Sequence, residues 1–191
     1  VSHSNFESAY ASREPLLWVG SNNGMMHAFR IEDGVEQIAL VPPALLRMQV
    51  QLFENFLADE RLKKNPFGQP PDPAQHVYGV ANSFRFGDVW DPDNSTHRTV
   101  GVVTVGAAGD DVVAVDVTSV PRPTAATYPT DPVKVLWAKD STTITGLKQT
   151  WSIPAMAPAT SPAWRMVYGG GFNPSTTRAA QISGTGLKAP N

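Results

Sequence analysis

The chain has 191 residues, with 15 Lys and Arg against 17 Asp and Glu and a formal net charge of −2. That balance offers no basic footprint for nucleic acid and no polybasic patch for a membrane surface. The lack of cysteine excludes disulfides, thiolate-ligated metals and thiol catalysis. The length suits a single domain that buries a core without staples. With 17 prolines, 15 glycines and a charged share of 17%, against the usual value of about 25%, the composition describes short strands joined by turns. No apolar run reaches the roughly 18 residues of a transmembrane helix. Val1-Ser2-His3-Ser4 carries neither Met nor a signal-peptide core, so the chain reads as a mature product or a piece of something longer.

Leu16-Leu17-Trp18-Val19-Gly20 is the first clear strand, and Ser21-Asn22-Asn23-Gly24 leads from it into Met25–Phe29. Asn-Gly between strand-like runs predicts a hairpin in which both residues take the positive φ of a primed turn. A second turn at Asp33-Gly34 precedes a short strand at Gln37–Val41, and Pro42-Pro43 stops it. Between 44 and 64 the period changes. Leu46, Val50, Phe53 and Leu57 recur at spacings of four, three and four, which predicts a helix packed through that face, with Lys63, Lys64 and Pro66 at its end. The Pro-rich stretch 65–75 is a loop.

His76–Val80 and Phe84–Trp90 are the next predicted strands, followed by the polar turn Asp91-Pro92-Asp93-Asn94-Ser95-Thr96. Thr99–Val105 and Val112–Val117 are nearly continuous in valine, the pattern of strands buried on both faces. A Pro/Thr loop over 119–132 leads to a strand at Val133–Ala138. One pattern recurs three times: an apolar strand ending in Gly, then a turn of small residues. It occurs at Trp18-Val19-Gly20 with Gly24, at Val105-Gly106 with Gly109, and at Tyr168-Gly169 with Gly170 and Gly171. Such self-similarity points to a repeat architecture. At about 40–45 residues per propeller blade the chain could hold roughly four blades.

Trp18-Val19-Gly20-Ser21-Asn22-Asn23-Gly24-Met25-Met26-His27-Ala28-Phe29 resembles the strand–turn–strand signature of quinoprotein-type β-propellers. More narrowly, the chain is similar to the PilY-type proteins, the type IV pilus tip-associated adhesin and biogenesis family. The segments that carry this are Ala39–Pro42, Gly87-Asp88-Val89-Trp90 with Arg98-Thr99-Val100, Val105–Gly109 with Ala114–Thr118, Leu136-Trp137, and Tyr168–Phe172, in that order. His97 stands where the family usually has Trp, and Ala81-Asn82-Ser83 replaces its usual Asp-Gly-Ser. The resemblance covers about 14–175 and implies a mainly β, blade-built propeller domain with one inserted helix. Since the family's propeller is longer than this chain, it also implies about half of such a domain.

The function it implies is non-enzymatic: pilus assembly, adhesion and twitching motility at the bacterial surface, after export through the periplasm. The partners would be minor pilins or other pilus proteins, host-surface ligands, or a second chain completing the propeller. The loops at 65–75 and 119–132 are candidate contact regions, because long loops carry binding. Two readings stay open beside it: a pyrroloquinoline-quinone dehydrogenase on the same blades, and a periplasmic scaffold for outer-membrane assembly.

Asp88, Asp91, Asp93 and Asn94 form the densest polar cluster, and oxygen ligands in a flexible loop are what Ca²⁺ takes. The cluster lacks the central Gly and the bidentate Glu of a calcium loop, so a solvated turn between strands is the competing reading. His3, His27, His76 and His97 show no metal-ligand spacing, and no Gly-x-Ser-x-Gly elbow exists. His27 is expected as a hydrogen-bonded interior residue, and Trp18, Trp90, Trp137, Trp151 and Trp164 as packing between blades.

Overall fold

The computed structural model describes residues 2–54, 77–120, 133–158 and 164–171. These residues build three antiparallel sheets with strands in chain order. The first sheet contains β1 (Leu16–Gly20), β2 (Met26–Arg30) and β3 (Glu36–Leu40). The second contains β4 (Phe84–Asp91), β5 (Thr96–Thr104), β6 (Val112–Asp116) and β7 (Lys134–Lys139), and the third β8 (Ala155–Pro158) and β9 (Trp164–Val167). A short helix, α1 (His3–Ala9), precedes them. After β3 a 3-10 helix, Pro43–Met48, runs on as helix to residue 54.

The second sheet lies between the other two. On one face Val113, Val115 and Val117 pack with Ala28 and Ile38 of the first sheet, while Val103 and Val105 meet Met26, Leu45 and Val80. On the other face Val100, Val102, Val112 and Ala114 pack with Leu147 and the partly buried Met156 and Met166 of the third sheet. Alternation along a strand sends odd-numbered valines to one neighbour and even-numbered ones to the other. The unbroken valine runs therefore carry no period-two signal, as expected of strands buried on both faces. Meanders stacked face to face are propeller blades, and the ring they belong to is not closed by the described residues.

The three strand–glycine turns fall at corresponding points: between β1 and β2, between β5 and β6, and directly after β9. So β5 corresponds to β1, and β4 has no counterpart among the described strands of the first sheet. Each turn is hydrogen-bonded to a segment that leads into a sheet, the next sheet at the first two turns and the third sheet itself at the last. Val80 N–H donates to the Ser21 carbonyl (3.0 Å), Thr150 N–H to that of Gly109 (3.0 Å), and Lys148 N–H to that of Gly170 (2.9 Å). Gly79 sits so close to the first turn that a Cβ there would overlap the Ser21 carbonyl oxygen and come within 2.7 Å of the Gly24 nitrogen.

The described residues form three blade-like sheets, and the expectation of about four blades extends over residues outside the described ones. Part of the chain is spent on the helical insert, and the third sheet has only two described strands. Other expectations are corrected. Residues 77–80 are not a strand, because the segment docks on the first turn instead of joining a ladder; His76 lies outside the described residues. At Asn23-Gly24 only Gly24 takes positive φ (84°). The loop is longer than a two-residue primed turn, with Ser21 N–H donating to Met25 O and the Asn23 side chain accepting from Met25 N–H.

In the insert, Leu46, Val50 and Phe53 are exposed, whereas Leu45 and Leu52 are buried. The tighter 3-10 entry after Pro42-Pro43 changes the phase of the helical face, so that Leu45 enters the core beside Met26 and Leu52 lies against Gly24. Residues 55–64, the loop 65–75 and most of the loop 119–132 lie outside the described residues. Two elements carry no sequence prediction. One is α1, seven residues long and capped by Ser2 accepting from Asn5 N–H, and the other is β8, which ends in a proline.

Candidate interaction surface

The four residues of the polar cluster are divided by the β4–β5 hairpin. Asp88 pairs across the ladder with Thr99, whose hydroxyl donates to it (2.6 Å), and it also meets His3 Nε2 (3.3 Å). Asp91 lies three positions on, so alternation places it on the other face of the strand. There its carboxylate accepts from Asn94 Nδ2 (2.7 Å), Arg98 Nε (2.5 Å) and Asp93 N–H (3.1 Å). The Asn94 amide, and then the Arg98 guanidinium, hold the Asp91 carboxyl below its ordinary range.

Arg98 also reaches Asp116 (3.1 Å), so one cation between two carboxylates ties the β4–β5 hairpin to β6. Asp93 contributes its backbone N–H to the turn. The four side chains do not converge, and among the described residues no group of three or more His, Asp or Glu could hold a metal ion. The donor set fits an ion-paired turn. Ser95 occupies its left-handed position, with φ 49°.

His27 is hydrogen-bonded as expected, its Nδ1 2.5 Å from Glu36 Oε1 and its Nε2 3.1 Å from Asn23 Nδ2, but it is partly exposed on the face opposite Met26 and Ala28 rather than interior. The tryptophans divide. Trp18 packs on Phe86 across the first two sheets (5.6 Å between centroids), and Trp137 packs against the cluster around Val112. Trp151 and Trp164 are exposed, the one just before the third sheet and the other in it.

His97, at the position where the family usually has tryptophan, sits among aromatic rings: Trp90 and His3 at 5.1 Å and Phe6 at 5.8 Å. Its Nδ1 is buried without a hydrogen-bond partner. The site asks for a flat ring rather than a particular polar atom. Sequence reading missed the role of α1 here, since seven residues give too few apolar positions for a period. The capping Ser2 was the available signal.

A second polar cluster seals the blade junction. Asn82 Nδ2 donates to Thr104 Oγ1 (2.6 Å) and the Thr150 carbonyl (2.9 Å). Thr150, fully buried, donates to the Asp111 carbonyl (2.9 Å) and accepts from Val105 N–H (3.1 Å). This is structural satisfaction of buried groups, with no acid–base pair directed into a cleft.

Among the described residues, open space lies along β1. Two adjoining cavities, about 450 and 470 Å³, share Leu16, Trp18 and Phe86. One extends to Arg13 and Tyr10, the other past Gly20 to Asn82. Arg13 stacks over Phe6 (5.6 Å) and Tyr10 (5.2 Å) and donates to Thr99 Oγ1 (2.5 Å), a cation held against two ring faces. Polar ends and an apolar centre along a strand make a surface suited to a polypeptide rather than to a small substrate.

Similarity to known proteins agrees with this architecture. The chain is 33% identical over 180 residues to a type IV pilus biogenesis factor PilY1 of Pseudomonas aeruginosa (strain UCBPP-PA14), covering 94% of this chain and 13% of that protein. It is 31% identical over 179 residues to a PilY1 homolog of Xylella fastidiosa, covering 93% of this chain and 12% of that protein. It thus spans about an eighth of the relatives' length. The crystal structure of the Pseudomonas aeruginosa PilY1 C-terminal domain superposes with a TM-score of 0.59 at 25% identity, over 90% of this chain and 28% of that one. Residues 1–173 match the PilY1 beta-propeller domain, and the chain belongs to that family.

Proposed function

We propose that the chain is the propeller portion of a type IV pilus biogenesis factor that works through protein–protein contacts at the cell surface, in pilus assembly and adhesion. The observation that carries this is the match of nearly the whole chain, residues 1–173, to the PilY1 beta-propeller domain, on a structure whose sheets stack as blades. Relatives that share the blades are themselves named pilus biogenesis factors. The chemistry of the surface supports a binding role: polar groups at the blade junction bond one another, and the open groove follows a strand edge. Its partners are pilus proteins such as minor pilins, with host-surface ligands as further targets. Its place is the pilus or the outer surface.

The test is deletion of the reading frame in the encoding bacterium, with surface pili counted by electron microscopy and twitching measured beneath agar. Loss of both, restored by the intact gene but not by one lacking residues 1–173, is the expected result. Normal piliation and motility in the deletion strain overturn the proposal.

A further inference from the structure

We infer that Met156 and Met166 form an oxidation site at the contact between the second and third sheets, where conversion of the two thioethers to sulfoxides loosens that contact. This goes beyond the proposed function and does not depend on it. β8 and β9 pair with Met156 directly opposite Met166, so both side chains stand on one face of the ladder. That face meets the second sheet. Both methionines pack with Val100, Val102, Val112 and Ala114 of its central strands and with Leu147. Every other residue of β8 and β9 is exposed. Among the described residues, the apolar hold of these two strands on the second sheet therefore rests on one cross-strand pair of thioethers.

The other junction is built differently. The first and second sheets meet through Ala28, Ile38, Val113, Val115 and Val117, none of which can be oxidised in this way, and Met26 nearby is fully buried. Met156 and Met166 are only partly buried, so a small oxidant crosses less protein to reach them than to reach Met26. A flexible, polarisable thioether suits this place. The Met156 methyl group fills the hollow that Gly87 of β4 leaves, 2.9 Å from the position a Cβ would take.

The reactant is an oxygen donor of the peroxide class. A sulfur lone pair attacks one peroxide oxygen, an S–O bond forms as the O–O bond breaks, and the other oxygen leaves as water after proton transfer. Sulfur gives up two electrons and the peroxide takes them. The product is a polar, chiral sulfoxide. Its oxygen needs a hydrogen-bond donor, and the valine, alanine and leucine side chains it meets supply none, so the oxidised side chain is driven out of the contact. The flanking segments stay tied. Asn82 donates to the Thr150 carbonyl (2.9 Å), Thr104 Oγ1 to that of Ser152 (3.1 Å), and Lys148 N–H to that of Gly170 (2.9 Å). The two strands thus loosen in place between fixed ends.

The test treats the 191-residue chain with hydrogen peroxide and follows each of its five methionines by peptide mass spectrometry. Met156 and Met166 should gain oxygen well before Met26. Hydrogen exchange then reads the contact. The backbone amides of 155–157 and 164–167 should exchange about tenfold faster after oxidation, while those of β5 and β6 keep their protection. Methionine sulfoxide reductases A and B, one for each epimer, should restore slow exchange with no change of sequence. Met156→Leu combined with Met166→Leu keeps the apolar volume and should abolish the response to peroxide. Oxidation of the pair only together with Met26, as in global unfolding, overturns the proposal. So do sulfoxides at both positions with exchange unchanged. The same response in the double leucine variant would assign the effect to Met25 or Met48, and would equally overturn it.

Discussion

The first and second sheets share a turn motif and differ in everything around it. The second has four strands and buries valine on both faces. The first has three, buries only the face that carries Ala28 and Ile38, and leaves Leu17 and Val19 on the other. Identical local instructions, a strand, a glycine and a turn, thus yield central strands buried on both faces in one place and a sheet buried on one face in another. The number of neighbours decides how much each apolar side chain contributes, because the hydrophobic term scales with area removed from water. The contrast predicts that equivalent substitutions in the two sheets have unequal costs.

The largest expected difference is between Val113→Asp and Val19→Asp. Val113 is fully buried in the contact between the sheets, and an unpaired charge there costs several kcal/mol at least, enough to unfold a domain of ordinary stability. Val19 is 42% exposed. Its aspartate should cost no more than about 1 kcal/mol. Urea unfolding followed by circular dichroism measures both, and comparable losses would refute the difference in enclosure.

Next in size is Gly79→Ala. The added methyl group meets the Ser21 carbonyl and the Gly24 nitrogen, so about 1–3 kcal/mol of overpacking is expected. Gly34 has φ 72° and open space around it. Gly34→Ala should therefore cost only the left-handed backbone penalty of about 1 kcal/mol. If the two alanines cost the same in denaturant melts, the lead-in segment is not clamped on the first turn. Thr150→Val removes the hydroxyl that accepts from Val105 N–H and donates to the Asp111 carbonyl at the second turn, with an expected loss of about 1–3 kcal/mol in the same melts.

A pH titration sharpens the comparison further. The Asp91 carboxyl is depressed by Asn94 and Arg98. A depressed carboxyl contributes stability that is present above its unfolded value, about 3.9, and is lost as pH falls through the folded value. Asp91→Asn should therefore flatten the acid side of the stability curve below about pH 4 and reduce stability at neutral pH, as followed by thermal melts from acid to neutral pH. An unchanged acid limb would mean that the Arg98 bridge does not tie the hairpin to β6.

The smallest effect is at His97. His97→Phe keeps a ring against Trp90, Phe6 and His3 and removes a buried nitrogen that has no partner. It should leave stability unchanged or raise it by about 1 kcal/mol. A clear loss on melting would show that the nitrogen matters.

The strands of the second sheet were legible because β-branched runs broken by glycine leave few alternatives. The turn at Asn23-Gly24 was legible in place but not in type, since its loop length depends on what docks against Ser21. The insert misled in a more instructive way. Leu46, Val50 and Phe53 satisfy a helical period, yet Leu45 and Leu52 are the buried pair. Periodicity reports that a helix has an apolar face; the 3-10 entry at Pro43 and the space beside Gly24 select which one is covered. The polar cluster at 88–94 read as a ligand set by composition. Strand alternation and the position of Arg98, a cross-strand neighbour, divided it.

By itself, then, the sequence determined most of the strands, the repeated turn, the blade class and the family, all of which rest on short-range residue patterns in a fixed order. Only the tertiary structure decided which apolar residues face a neighbour and which carboxylates share a cation. Those depend on how successive sheets stack, and the separation between the contacting groups, such as Asn82 and Thr150, is too long for any local pattern to carry.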